Sequence, residues 1–145
     1  MINIICVGKI KEKYLQELIA DYSKRINKYH KLNIIELKDS NDISFETKEI
    51  LKYVNSKDYN IALTIEGRSY NSIDFARHID ELFIKSSTIN FIIGGSNGLE
   101  TVVTDLCNEQ ISFSKFTFPH GLFRGILLEQ IYRSFKINNN EQYHK

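Results

Sequence analysis

The stretch Phe91-Ile92-Ile93-Gly94-Gly95-Ser96-Asn97-Gly98-Leu99 decides the fold class. With Ile89 and Asn90 it begins as a short, almost wholly apolar run, which predicts a strand buried on both faces. Gly94 to Gly98 then break the run, and a helix is expected from about Glu100. A buried strand that turns on glycines into a helix is the repeating unit of a parallel sheet clad in helices. The turn itself has two readings. Glycines accept positive φ and let a ligand approach the backbone, and amides at a helix start suit an anion or nucleotide; a plain tight turn needs the same residues. The pattern is not GxGxxG and no GK[ST] follows, so neither a dinucleotide fold nor a P-loop is indicated.

Working outward, the same alternation recurs. Ile2–Val7 is apolar and β-branched and stops at Gly8, which predicts a first strand. A helix is expected over about Glu12–Tyr29, with Tyr14, Leu15, Leu18, Ile19, Tyr22 and Ile26 on one face. Leu32–Leu37 reads as a second strand, and Ser44 is expected to cap a helix reaching about Val54. Asn60–Ile65 is a third strand, ended by Glu66-Gly67. Ser72 is expected to cap a helix whose inner face holds Ile73, Ala76, Ile79 and Phe83. Downstream, Gln110–Phe113 is a short fifth strand and Phe116–Pro119 a loop with the only proline. A long helix is expected over about Leu122–Phe135, followed by a polar, irregular tail. The expectation is a single α/β domain, residues 1–145, with a parallel sheet covered on both faces. Ligands on such sheets bind at the carboxyl ends of strands, so the exits at Gly94, Glu66-Gly67 and Ser114 are the places to look.

Composition narrows the class. Hydrophobic residues make up 42% and charged residues 26% of the 145, ordinary for a globular protein. Cys6 and Cys107 lie far apart in apolar settings and read as reduced structural thiols. The apolar run at the N-terminus is too short for a signal peptide, and no stretch approaches membrane-spanning length; a cytoplasmic location and no membrane partner are expected. The net charge of +1 hides an asymmetry. Residues 1–38 hold eight Lys/Arg against four Asp/Glu, residues 39–111 six against twelve, and residues 112–145 five against two. Ends that meet in the fold would make a basic face suited to phosphate; scatter over a solvated surface is the competing account.

Three further segments hold candidate chemistry. Ser112-Phe113-Ser114-Lys115-Phe116-Thr117-Phe118-Pro119-His120 mixes small polar residues with aromatics, either as a pocket wall for an aromatic ring or as a hydrophobic loop with a capping hydroxyl. In the long helix Glu129 and Arg133 form an i, i+4 pair, and bulky residues spread around the helix predict burial on two sides. The tail Tyr143-His144-Lys145 combines an aromatic ring, an imidazole and a cation, able together to stack on a base, titrate near neutrality and touch phosphate; frayed ends are the ordinary alternative. No HExxH, GxSxG or Cys/His ligand set is present, so metal hydrolysis and serine acyl transfer are not indicated and no metal is expected.

These motifs in this order resemble one family. Phe91–Leu99, Ser112–His120, Arg124-Gly125-Ile126-Leu127-Leu128-Glu129-Gln130-Ile131-Tyr132-Arg133 and Tyr143-His144-Lys145 together look like the RlmH family of the SPOUT superfamily, bacterial pseudouridine N3-methyltransferases of the ribosomal large subunit. Val7-Gly8-Lys9 and Tyr22-Ser23-Lys24-Arg25 extend the likeness over nearly the whole chain. The resemblance implies an α/β fold with a C-terminal trefoil knot, S-adenosylmethionine as methyl donor, a homodimer, and as target a pseudouridine in helix 69 of 23S rRNA on the assembled ribosome. It implies donor binding by Leu63, Gly94, Phe113, Ser114, Lys115, Phe116, Thr117 and Phe118. It implies a catalytic group of Tyr143, His144 and Arg133, with Arg124 and Lys145 on RNA. Two departures stand out: Gly125 replaces a branched apolar residue at a cost of about 1 kcal/mol relative to alanine in a helix, and Asn140-Glu141-Gln142 replaces a Gly-x-Pro turn before the tail. A non-catalytic RNA-binding module that keeps the fold, and a nucleotide- or flavin-binding α/β protein, are the alternatives.

Overall fold

Ten elements alternate along the computed structural model, which describes residues 1–145: β1 (Ile2–Val7), α1 (Lys13–Ile26), β2 (Leu32–Leu37), α2 (Ile43–Leu51), β3 (Tyr59–Ser69), α3 (Ser72–Lys85), β4 (Ile89–Ile93), α4 (Thr101–Leu106), β5 (Glu109–Ser112) and α5 (His120–Asn138). The strands form one parallel sheet in the order β2-β1-β4-β3-β5. Every pair needs a crossover, and the intervening helices supply it. Period-two alternation sorts side chains to the two faces. Ile2, Ile4, Cys6, Ile61, Phe91 and Ile93 join the larger core with Ile26 of α1, Phe75, Ile79 and Leu82 of α3, and Leu127, Leu128 and Ile131 of α5. Ile5, Val7, Leu37 and Ile92 meet Ile50 of α2 and Val103 of α4 in a smaller core. Each isoleucine fully buried in this way contributes about 1.5–3 kcal/mol.

One row across the sheet is polar. Asn33, Asn3, Asn90 and Asn60 stand in register on four adjacent strands. Their amides link side to side: Asn33 donates to Asn3 (3.0 Å), Asn3 to Asn90 (2.8 Å), and Asn90 to Asn60 (2.9 Å). A one-residue slip of any strand would break this row and swap its side chains between the two cores, so the row and the packing specify the same register.

Several boundaries differ from the expectation, each for a local reason. Helix α1 stops at Ile26 because Asn27 turns the chain, accepting from the Leu32 N–H at 3.0 Å. Asp42 and Asn71, not Ser44 and Ser72, cap α2 and α3, accepting from the N–H groups of Ser44 (2.9 Å) and Asp74 (2.7 Å). Ser72 instead donates to Gln130 Oε1 at 2.7 Å. Strand β3 does not end at Glu66-Gly67. It bulges between Leu63 and Arg68, both of which pair with Ile111, and continues to Ser69. A Cβ on Gly67 would lie 2.6 Å from the Ile111 backbone, so this glycine permits close strand approach within β3 and does not terminate it.

The long helix is buried nearly all round, as its sequence predicts, between α1 and α3. Gly125 faces α1, where a Cβ would sit 2.5 Å from Leu18 Cδ2. Its propensity cost is exchanged for a close helix contact. The tail is a built turn, in place of the irregular end expected. Asn140 takes φ 55°, Glu141 N–H donates to Lys136 O at 2.9 Å, and the Glu141 carboxylate accepts from Tyr29 Oη (2.7 Å) and Lys136 Nζ (2.9 Å). Asn140 thus does what a glycine would do there.

Candidate functional site: a glycine-turn cleft and an aromatic tail

The bulge of β3 and the carboxyl ends of β4 and β5 open into a cleft of about 400 Å³, within the range of about 300–1,000 Å³ typical of small-molecule sites. Its floor is apolar, from Leu63, Ile93 and Ile111. One wall is the glycine turn. Gly95 and Gly98 pair across it, Gly98 N–H donating to Gly95 O at 3.0 Å, with Gly98 at φ 72°. Gly94 is fixed by contact: a Cβ there would meet Gly98 O at 2.5 Å. The opposite wall is Phe113–Phe118. Ser114 Oγ accepts from Phe116 N–H at 2.9 Å and bends this loop over the cleft. Phe113 packs edge-on against Phe75 and Phe123, and Phe118 stacks on Phe123, which holds both rings to the start of α5.

Seven of the eight expected donor-binding residues therefore line one cleft: Leu63, Gly94, Phe113, Ser114, Phe116, Thr117 and Phe118. Lys115 does not; its side chain is exposed to solvent. Also lining it are Glu66, Asn97, Leu99 and His120, which fall in the strand exit, glycine turn and aromatic segment singled out from the sequence, and Thr64 and Ile65 from the β3 bulge and Phe123 from α5, which were not anticipated. The bulge was hidden because Glu66-Gly67 has the composition of a strand end. Glu66 is the single carboxylate on the lining, a partner for a cationic ligand group.

The tail forms a second cluster on α1 and α5. Tyr143 stands edge-on to Tyr132 with ring centroids 4.9 Å apart, and the Arg133 guanidinium lies 4.8 Å from the Tyr143 ring centre. Tyr143 Oη donates to Glu129 Oε1 at 3.2 Å, which leaves the Tyr22 hydroxyl to donate to Tyr143 at 3.2 Å. Arg133 is bound to Glu129 and, at 3.0 Å, to His144 Nδ1. Burial, the Tyr22 bond and the Glu129 charge push the Tyr143 phenol well above its ordinary range. The hydrogen bond to Glu129 likewise raises Arg133. Guanidinium has no acceptor, so Nδ1 of His144 must accept and a neutral ring carries its proton on Nε2. In this arrangement His144 presents a donor, not a free basic nitrogen. Lys145 is exposed beside it.

Arg124 was expected on the RNA side, and the structure places it elsewhere. It is 2% exposed. Its guanidinium binds Glu36 (2.9 Å) and the carbonyls of Val7 (3.0 Å) and Gly8 (2.6 Å), locking α5 to the exit of β1. Its Nε is buried without a partner, and a group so enclosed does not reach a phosphate at the surface. Two histidines with no role read from sequence are also structural. His30 stacks on Phe83 at 4.0 Å and near Phe135, and His78 pairs with Glu109 on β5.

Comparisons with known proteins identify the family. The family described as "Predicted SPOUT methyltransferase" matches residues 1–144. A Fusobacterium nucleatum protein named ribosomal RNA large subunit methyltransferase H is 50% identical over 99% of both chains. A protein of the same name from Clostridium tetani is 46% identical over 99% of both. Among solved structures, a probable methylase family protein from Haemophilus influenzae superposes with TM-score 0.61 at 11% identity, over 99% of this chain and 70% of that one. The tRNA (m1G37) methyltransferase of Aquifex aeolicus gives 0.51 at 14%, over 91% and 69%. These two likenesses concern the fold. From a full-length family match and relatives at half identity, the chain belongs to the ribosomal RNA large subunit methyltransferase H family of SPOUT methyltransferases.

Proposed function

We propose that this protein transfers a methyl group from S-adenosylmethionine to N3 of a pseudouridine in helix 69 of 23S rRNA, on the assembled ribosome in the cytoplasm. We take residues 1–145 as one catalytic domain, threaded at its C-terminus as a trefoil knot and working as a homodimer without a metal. The observation that carries the reading is the meeting of Gly94–Leu99 with Phe113–Phe118 in one cleft, in a chain matched end to end by proteins named for large-subunit rRNA methylation.

The residues present fit the donor. The cleft has the size for a nucleoside bearing an amino-acid arm, aromatic and aliphatic walls for an adenine, backbone groups made approachable by Gly94 and Gly95, and the Glu66 carboxylate for a cation. When bound, S-adenosylmethionine supplies an electrophilic methyl that needs no metal for in-line transfer. The chain's own work is orientation, which supplies much of the rate in such reactions. The Phe116 ring lines the cleft while 79% exposed, free to pack on a bound ligand. Tyr143 and Arg133 hold the tail in shape, and the Nε2–H of His144 and the Lys145 ammonium face outward to meet the target nucleotide and its phosphates. Cations near N3 favour its deprotonated form, so the tail lowers the cost of losing that proton. The two departures from the family pattern no longer favour a non-catalytic module, since Gly125 and Asn140 each have a packing or backbone role.

Incubation with methyl-labelled donor and intact ribosomes, followed by mapping of the modified nucleotide, tests the reading. Label at N3 of a single pseudouridine of 23S rRNA is expected, and deletion of Tyr143–Lys145 is expected to abolish it while donor binding persists. Label elsewhere, or full activity without the tail, rejects the assignment.

A further inference from the structure

Beneath the glycine turn lies a carboxylate that the account so far does not use. Glu46, on α2, is 2% exposed. Its Oε2 accepts from Ser40 N–H at 2.9 Å, but its Oε1 is buried with no hydrogen-bond partner. The carboxylate stands against Gly95: a Cβ built there would lie 3.4 Å from both oxygens and 3.0 Å from Val7 Cγ1. The next residue of α2, Thr47, donates from Oγ1 to Glu100 Oε1 at 2.7 Å, at the residue that precedes α4. Adjacent side chains of one helix thus reach the start and the end of the loop that walls the cleft.

Leaving a buried carboxylate oxygen unpaired is costly, more so than for a neutral group. The helix could shed that cost with an apolar residue at this site, since Val7, Ile50 and Ile92 surround the same small core. An acceptor kept under a turn of backbone N–H groups, on the side away from the cleft, is placed to receive one of them when the turn is pressed from the cleft side. The absence of a side chain at Gly95 is what lets the two come together.

We propose that Glu46 is a positioning residue for the donor cleft: Oε1 accepts a hydrogen bond from the Gly95–Asn97 backbone when a ligand seats against the turn, coupling donor binding to α2. The inference rests on the donor-binding reading above and adds to it a residue behind the wall. Glu46 touches no reacting atom. Its contribution falls on affinity and not on the chemical step.

Glu46→Gln tests this, because one amide oxygen can keep the Ser40 bond while the amide nitrogen cannot accept from the turn. Calorimetric titration of the full-length protein with S-adenosylmethionine, and separately with S-adenosylhomocysteine, reads the effect. Both ligands are expected to bind about tenfold more weakly, equivalent to one hydrogen bond of about 1.4 kcal/mol. The thermal midpoint without ligand and kcat at saturating donor stay close to wild type, and Lys48→Gln, an exposed change on the same helix, alters neither affinity. Unchanged affinity in Glu46→Gln overturns the proposal, as does a loss confined to the sulfonium ligand, which would mark a charge effect in place of a bond to the turn. A lowered midpoint with unchanged affinity also overturns it, leaving Glu46 a packing residue. Failure of the wild-type protein to bind either ligand would instead refute the donor-binding reading itself.

Discussion

Arg124 shows how a residue type misleads when read without its surroundings. The family resemblance implies an RNA contact for it, in a helix whose sequence predicts burial on two sides. In the structure it ties three points of β1 and β2 to α5, and Glu36 answers its charge while also accepting from Ile10 N–H at 3.1 Å. Removing one member of such a pair leaves the Glu36 charge without its counter-ion and takes the guanidinium donors from two carbonyls. Arg124→Met, which keeps the aliphatic stem, is therefore expected to lose about 2–3 kcal/mol of stability in urea unfolding, discounted because Glu36 is 35% exposed. An RNA-contact role predicts the reverse pattern, with stability intact and ribosome affinity lowered. Gly94 stands at the other extreme. Its backbone contact with Gly98 was legible as a sharp turn from the two glycines alone, and only the identity of what the turn walls needed the fold.

At the scale of elements, β1 and β4 were legible because burial leaves its mark in composition: each is short, rich in isoleucine and ended by a glycine. Helix α5 was legible for the same reason, its bulky residues lying on all sides. What stayed hidden depends on partners distant in sequence. The extension of β3 past Gly67 is set by the Ile111 backbone, and the tail's order by Tyr22, Tyr29 and Tyr132, none of which periodicity can bring together. The docked tail carries a pH signature. The Tyr143 phenol is raised above its ordinary value of 10 by burial first, then by Tyr22 and Glu129. A group raised in the fold favours the folded state fully below pH 10 and loses that contribution as pH climbs through its folded value. Tyr59, pushed to about 12 by burial and then by the Glu109 charge, behaves likewise. An absorbance titration of phenolate should thus find Tyr143 and Tyr59 among the late-ionising tyrosines, with Tyr29 and Tyr70 also raised, and Tyr143→Phe and Tyr59→Phe should each remove one late titration. If Tyr143→Phe removes an ordinary early titration instead, the tail is not docked in solution.

For the whole molecule, the distance between its two candidate sites sets the constraint. Phe123 lines the cleft and Arg133 anchors the tail, ten residues apart on α5, or about 15 Å along the axis. A tail turned back onto Tyr22 of its own α1 does not reach the cleft of its own chain. If methyl transfer needs both, a second copy related by a two-fold axis is the economical way to bring one chain's tail to the other's donor, since the isologous pairing forms two such composite sites at once. Complementation tests this directly. Gly94→Ala forces a Cβ to within 2.5 Å of Gly98 O and should disable the cleft; deletion of Tyr143–Lys145 should disable the tail. Each variant alone is expected to be inactive on ribosomes. Mixed in equal amounts under conditions of subunit exchange, half the dimers are mixed and each holds one intact composite site, so roughly a quarter of the wild-type activity should return. No recovery, in a mixture shown by mass spectrometry to contain mixed dimers, would place the tail and the cleft of a single chain in the same active site and require the tail to undock from Tyr22 in order to act.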